Sequence, residues 1–83
     1  MREIIIPFTP TVSSKDGATW RVKVIGHERA DGIWEGSIEF RTEGARRITR
    51  METTQPSRDG IESWATTLAP IYFERALDRA RRR

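Results

Sequence analysis

Two stretches of strict alternation, joined by a short glycine-containing turn, constrain this chain more than any other feature. Trp20, Val22 and Val24 alternate with Arg21 and Lys23, while Trp34, Gly36, Ile38 and Phe40 alternate with Glu35, Ser37, Glu39 and Arg41. Apolar residues at every second position place one face of an extended strand in a core and the other in water, as a half-buried antiparallel pair requires. Ala30-Asp31-Gly32 lies between the two runs, and parity chooses the loop because paired residues share a face. A two-residue Asp-Gly loop would pair Val24 with Glu39 and mix the faces. A three-residue loop ending in a left-handed Gly32 instead pairs Val24 with Ile38, Val22 with Phe40 and Lys23 with Glu39. The same register sets Gly26 opposite Gly36 on the apolar face. That is either a shallow floor for a ring such as Trp64 or a twist or bulge near the hairpin end.

The rest of the chain is arranged around this pair. Residues 1–18 read as an N-terminal arm, in which Glu3 to Phe8 can form a short edge strand and Pro10 to Gly17 a loop, since Pro7 and Pro10 each lack a backbone donor. Residues 46–54 favour extended backbone through Ile48, Thr49, Thr53 and Thr54, but Ile48 and Met51 fall on opposite parities. This predicts a third, edge strand with a bulge, ended by Gln55-Pro56. Beyond it the apolar spacing becomes helical: Ile61, Trp64, Ala65, Leu68, Ile71 and Tyr72 recur at three and four, with Ser57 or the Asp59-x-x-Glu62 pair as the cap. Pro70 falls inside this pattern, so one kinked helix or two in series ends the chain. The expected fold is α+β in a single domain over 1–83: arm 1–18, sheet 19–55, helix 57–83. The antiparallel sheet has three strands, four if the arm joins, with one face covered by the C-terminal helix.

Composition limits what such a domain can do. Only 36% of the 83 residues are hydrophobic, the mean hydropathy is −0.63, and no apolar run exceeds Ile4 to Ile6, which leaves no membrane span or signal-peptide core. A soluble, cytoplasmic protein is expected. No cysteine is present and only one histidine, so disulfides, thiolate chemistry and the usual zinc ligand sets are excluded, and no metal or cofactor is expected. The net charge of +3 and pI near 10.2 are concentrated at one end. Without the four arginines among the last five residues, eleven basic residues face twelve acidic ones. A core this small is marginal by itself, which makes association with a second copy attractive.

Three groups of residues stand out as candidates for function. Thr53, Thr54, Gln55, Ser57 and Arg58 join strand to helix and offer hydroxyls, an amide and a guanidinium to a small anion, or else simply end the strand and cap the helix. Arg46, Arg47 and Arg50 form one basic cluster and Arg79, Arg81, Arg82 and Arg83 another. Both are candidate phosphate contacts if the helix runs back along the sheet, although neither is interleaved with aromatics. Tyr72, Phe73 and Leu77 extend an apolar stripe past Pro70 and are the candidate interface. His27 falls opposite Glu35, but a sheet of three strands offers no pocket for a general base, so catalysis is not expected.

The runs Trp34-Glu35-Gly36-Ser37-Ile38-Glu39-Phe40, Glu52-Thr53-Thr54-Gln55-Pro56-Ser57-Arg58, and Trp64-Ala65 with Leu68, Pro70 and Tyr72 resemble those of a group of small uncharacterised bacterial proteins over residues 20–80. That resemblance carries no activity with it. The strand-strand-strand-helix order is more loosely similar to the partner-binding half of HicB-type antitoxins, which implies a toxin-neutralising, protein-binding role. The expected function is a non-catalytic protein-binding or self-assembly module, a homodimer included; the alternative is a basic nucleic-acid-associated or antitoxin-like regulator whose contacts with nucleic acid are weak, non-specific and made by the arginine tail.

Overall fold

The hairpin predicted from parity is the centre of the molecule. In the computed structural model, which describes residues 2–82, β2 (Thr19–Glu28) and β3 (Trp34–Thr42) run antiparallel with Val24 opposite Ile38, Val22 opposite Phe40 and Gly26 opposite Gly36. Arg29 N–H donates to the Ile33 carbonyl at 2.8 Å, closing the three-residue loop, and Gly32 turns it with a φ of +86°. Val24, Ile38 and Phe40 are fully buried on the even-numbered face.

The N-terminal arm is a correction to the sequence reading. It is a long strand, β1 (Glu3–Ser13), paired antiparallel with β2 in the register Ile4 to Gly26 and Phe8 to Val22. The two prolines do not prevent this. Glu28 N–H donates to the Arg2 carbonyl, so even-numbered residues of β1 turn their backbone groups to β2, and Pro7 lacks a donor that would have faced solvent. Pro10 falls in the register shift between Phe8 and Val12. The loop shrinks to Ser14–Ala18, where Ser14 N–H donates to the Ala18 carbonyl at 2.9 Å and the Asp16 carboxylate accepts from the Ala18 N–H at 3.1 Å. The Ser14 hydroxyl and this N–H hold the Asp16 carboxyl below the ordinary aspartate range.

The third strand is divided. β4 (Ala45–Ile48) and β5 (Thr53–Gln55) both pair with β3, at opposite ends of it. Between them, Thr49 N–H donates to the Ile38 carbonyl, but the Ile38 N–H donates to the Thr49 hydroxyl at 3.0 Å rather than to a carbonyl. The side chain takes the place of its own backbone acceptor, and the strand swings out until Glu52 N–H meets the Gly36 carbonyl at 2.7 Å.

The C-terminal segment is two helices and a strand. α1 (Arg58–Thr66) is capped by Ser57, whose hydroxyl accepts from the Gly60 N–H at 3.1 Å. It ends because a residue before proline disfavours helical backbone: Ala69 is extended, and Pro70 starts α2 (Pro70–Arg79) at the position where a missing donor costs nothing. The helix expected to run to residue 83 stops at Arg79, and β6 (Arg81–Arg82) pairs with β4. The sheet therefore has six strands, not three or four, in the order β1-β2-β3-β4-β6 with β5 also on β3. Ile61 and Ala65 of α1 and Phe73, Ala76 and Leu77 of α2 join the even-numbered sheet residues in one core. Ile61 lies over both glycines, and the edge of Trp64 approaches Gly36, so the glycine floor carries an isoleucine as well as the expected ring. No helix among the described residues is long and apolar enough to cross a membrane.

Candidate functional site

Gln55, Ser57 and Arg58 of the strand-to-helix loop are engaged with neighbouring residues. Gln55 Nε2 donates to the Thr53 hydroxyl at 2.9 Å, Ser57 caps α1, and Arg58 lies 3.6 Å from Glu62 one turn along the helix. Thr54 is exposed. The arrangement serves the join between strand and helix.

The expected interface is also consumed internally. Phe73 and Leu77 are buried in the core, with the Phe73 ring edge-on to Phe8 at 4.9 Å between centroids. This corrects the apolar surface expected past Pro70: β1 widens the sheet by a full strand and covers α2. Tyr72 is half-buried, edge-on to Trp64, and its hydroxyl donates to Glu52 Oε1 at 2.5 Å. Arg79 reaches the same carboxylate from Nη2 at 2.9 Å. Burial and the neighbouring Glu52 charge push the Tyr72 phenol up to about 12, against the opposing pull of Arg79.

The two arginine clusters are partly dispersed. Arg46 and Arg47, consecutive in β4, point to opposite faces, and Arg47 lies over the Trp20 ring at 4.8 Å. Arg50, Arg79 and Arg81 do converge, around Glu52 and a hollow of about 320 Å³, but Arg79 is paired there. The backbone of Arg81 and Arg82 belongs to β6, so the tail is tied into the sheet; Arg83 and the Arg82 side chain lie outside the described residues.

The sequence reading paired Lys23 with Glu39 but missed the arginine row beside them, on the odd-numbered face of the sheet that the helices do not cover. Arg21 stands directly opposite Arg41, and Arg41 directly opposite Arg46, giving a row of three arginines across β2, β3 and β4. In the next row Lys23 stands opposite Glu39. The Glu39 side chain is 5% exposed, with Lys23 Nζ at 3.6 Å, Arg41 Nε at 3.3 Å and Arg46 in direct contact. Burial disfavours its charge, but the Arg46 hydrogen bond and the charges of Arg46, Lys23 and Arg41 prevail and hold the carboxyl below the ordinary glutamate range. A groove of about 410 Å³ opens beside the row, where Pro7, Thr11, Arg21, Lys23 and Arg41 meet at the irregularity in β1. The signal for this cluster was in the parity argument, since the register that pairs Val22 with Phe40 also pairs Arg21 with Arg41. Arg46 joins only because Glu43-Gly44 forms a tight turn that sets Thr42 opposite Ala45.

Among the described residues the remaining titratable groups form no second centre. His27 stands opposite Glu35 as the register demands, and Glu35 lies 3.6 Å from Arg29. Among the described residues no group of three or more His, Cys, Asp or Glu is arranged to hold a metal ion. No protein-family model, no curated protein and no solved structure matches this chain.

Proposed function

We propose that this chain is a non-catalytic protein-binding module that works through the uncovered face of its sheet, with a second copy of itself as the partner. One observation carries this reading: Ile5, on the edge strand β1, is 54% exposed and stands opposite the half-buried Ile25, an apolar pair on a face that both helices leave open. Pro7 interrupts the outward row of β1 donors just beyond Ile5, which favours packing of face on face over extension of the sheet from edge to edge. Sedimentation equilibrium over a wide concentration range tests it. A mass above 9.6 kDa that Ile5→Lys returns to the monomer supports self-assembly. A monomer at every concentration overturns it.

A second reading, a basic nucleic-acid-associated regulator of the antitoxin-like kind, is favoured by a different observation, the arginine row across β2, β3 and β4. The sequence reading named Arg46, Arg47 and Arg50 as well as the C-terminal tail and expected the tail to lead; the pairing of Arg79 with Glu52 and of β6 with β4 favours the sheet residues in this reading. Neither reading calls for a cofactor or a metal.

A further inference from the structure

We infer that Arg21, Lys23, Arg41 and Arg46 form a phosphodiester-binding surface on the open sheet face, one that takes the backbone of a nucleic acid without reading its sequence. The inference deepens the second reading above and rests on it, and it uses the same open sheet face as self-assembly through Ile5.

Like charges directly opposite one another weaken a sheet, and this sheet sets three arginines in one cross-strand row. A single carboxylate, Glu39, answers three of the four cations, and no carboxylate contacts Arg21 among the described residues. Glu39 is nearly covered by its partners, so it fixes where Arg41 and Arg46 sit while presenting almost none of its own charge to a ligand. Arg41 and Arg46 remain about half exposed, at 51% and 39%, and keep donors free for an anion. The helices lie on the other side of the sheet and carry four acidic residues against three basic ones, and on the open face the cations gather at one end, with Glu3 and Glu35 toward the other.

Charge complementarity favours phosphates over a protein partner at this row. Protein interfaces deplete charge at their centre and enrich aromatic rings there, whereas here the centre is charged and no aromatic side chain stands in the two rows. Guanidinium forks match phosphate oxygens in pairs, and the absence of stacking rings leaves the bases unread.

Fluorescence anisotropy with one labelled single strand and one duplex, at several salt concentrations, tests the inference. The full chain should bind both at low salt. On the single strand, Arg21→Gln should flatten the slope of log affinity against log salt by about 0.7, and the Arg21→Gln/Arg41→Gln pair by about twice that. Arg58→Gln/Arg75→Gln, which removes the same charge from the helical side, should change the slope little. Arg21→Gln breaks no ion pair, so its effect is not confounded by unfolding. Absence of binding at low salt, or an equal loss in the helical-side variant, overturns the inference. So does polyglutamate of matched charge that binds as tightly and is lost on Arg21→Gln, which would return the face to an acidic protein partner.

Discussion

Single polar side chains decide where this fold is held and where it bends. Thr49, 4% exposed, supplies the only acceptor shown for the Ile38 N–H, so Thr49→Val should leave a buried donor unpaired and cost about 1 to 3 kcal/mol, read by chemical denaturation. Glu39→Gln should cost about 1 to 2 kcal/mol at neutral pH, less than for a fully enclosed pair because Arg41 and Arg46 regain water. Its sign with pH follows from the depressed carboxyl: the stabilisation is complete above the unfolded pKa and lost as pH falls through the folded one. Acid titration of stability should therefore be steeper in the native chain than in Glu39→Gln, and equal curves would refute the assignment. Tyr72 works in the opposite direction. With its phenol raised to about 12, the folded state prefers the neutral ring, and that preference is present below the unfolded pKa near 10 and lost as pH rises through 12. Because it is the only tyrosine, its ultraviolet titration reads this site alone, and Glu52→Gln should move the midpoint down toward 10.

At the scale of elements, α1 is seated by the paired glycines of the hairpin. A Cβ on Gly36 would fall 2.9 Å from Thr53 Cγ2 and 3.1 Å from the Trp64 ring, so Gly36→Ala should overpack the seat and cost about 1 to 3 kcal/mol. Ile61→Ala empties the same seat from above and should cost about 2 to 5 kcal/mol, since the residue is fully buried. Thermal unfolding of the two variants checks both, and a neutral Gly36→Ala would mean that the helix rests elsewhere. The seat was legible in the sequence because period-two parity places Gly26 and Gly36 on the apolar face. The division of the last helix was legible only as an alternative, because Pro70 fits either a kink within one helix or the first residue of a second. The extended Ala69 selects the latter.

At the scale of the whole molecule, one layer of helices on one face of a six-stranded sheet separates apolar burial from charge. Amide hydrogen exchange should be slowest in β2 and β3, each paired on both sides, and fastest in β6 and in the outward-facing odd residues of β1; equal rates across the sheet would contradict the strand order. The hairpin register was determined by the sequence alone, because side-chain parity acts over neighbouring residues with a fixed period; the sequence left the cap open between Ser57 and the Asp59-Glu62 pair, and the structure selects Ser57 and divides the expected third strand into β4 and β5. The pairing of β1, the return of Arg81 and Arg82 to β4, and the gathering of Arg21, Lys23, Arg41 and Arg46 around Glu39 were decided by the tertiary structure. Proline's missing donor is harmless only once an edge exists for it to face, and charges distant along the chain meet only when strands are laid side by side.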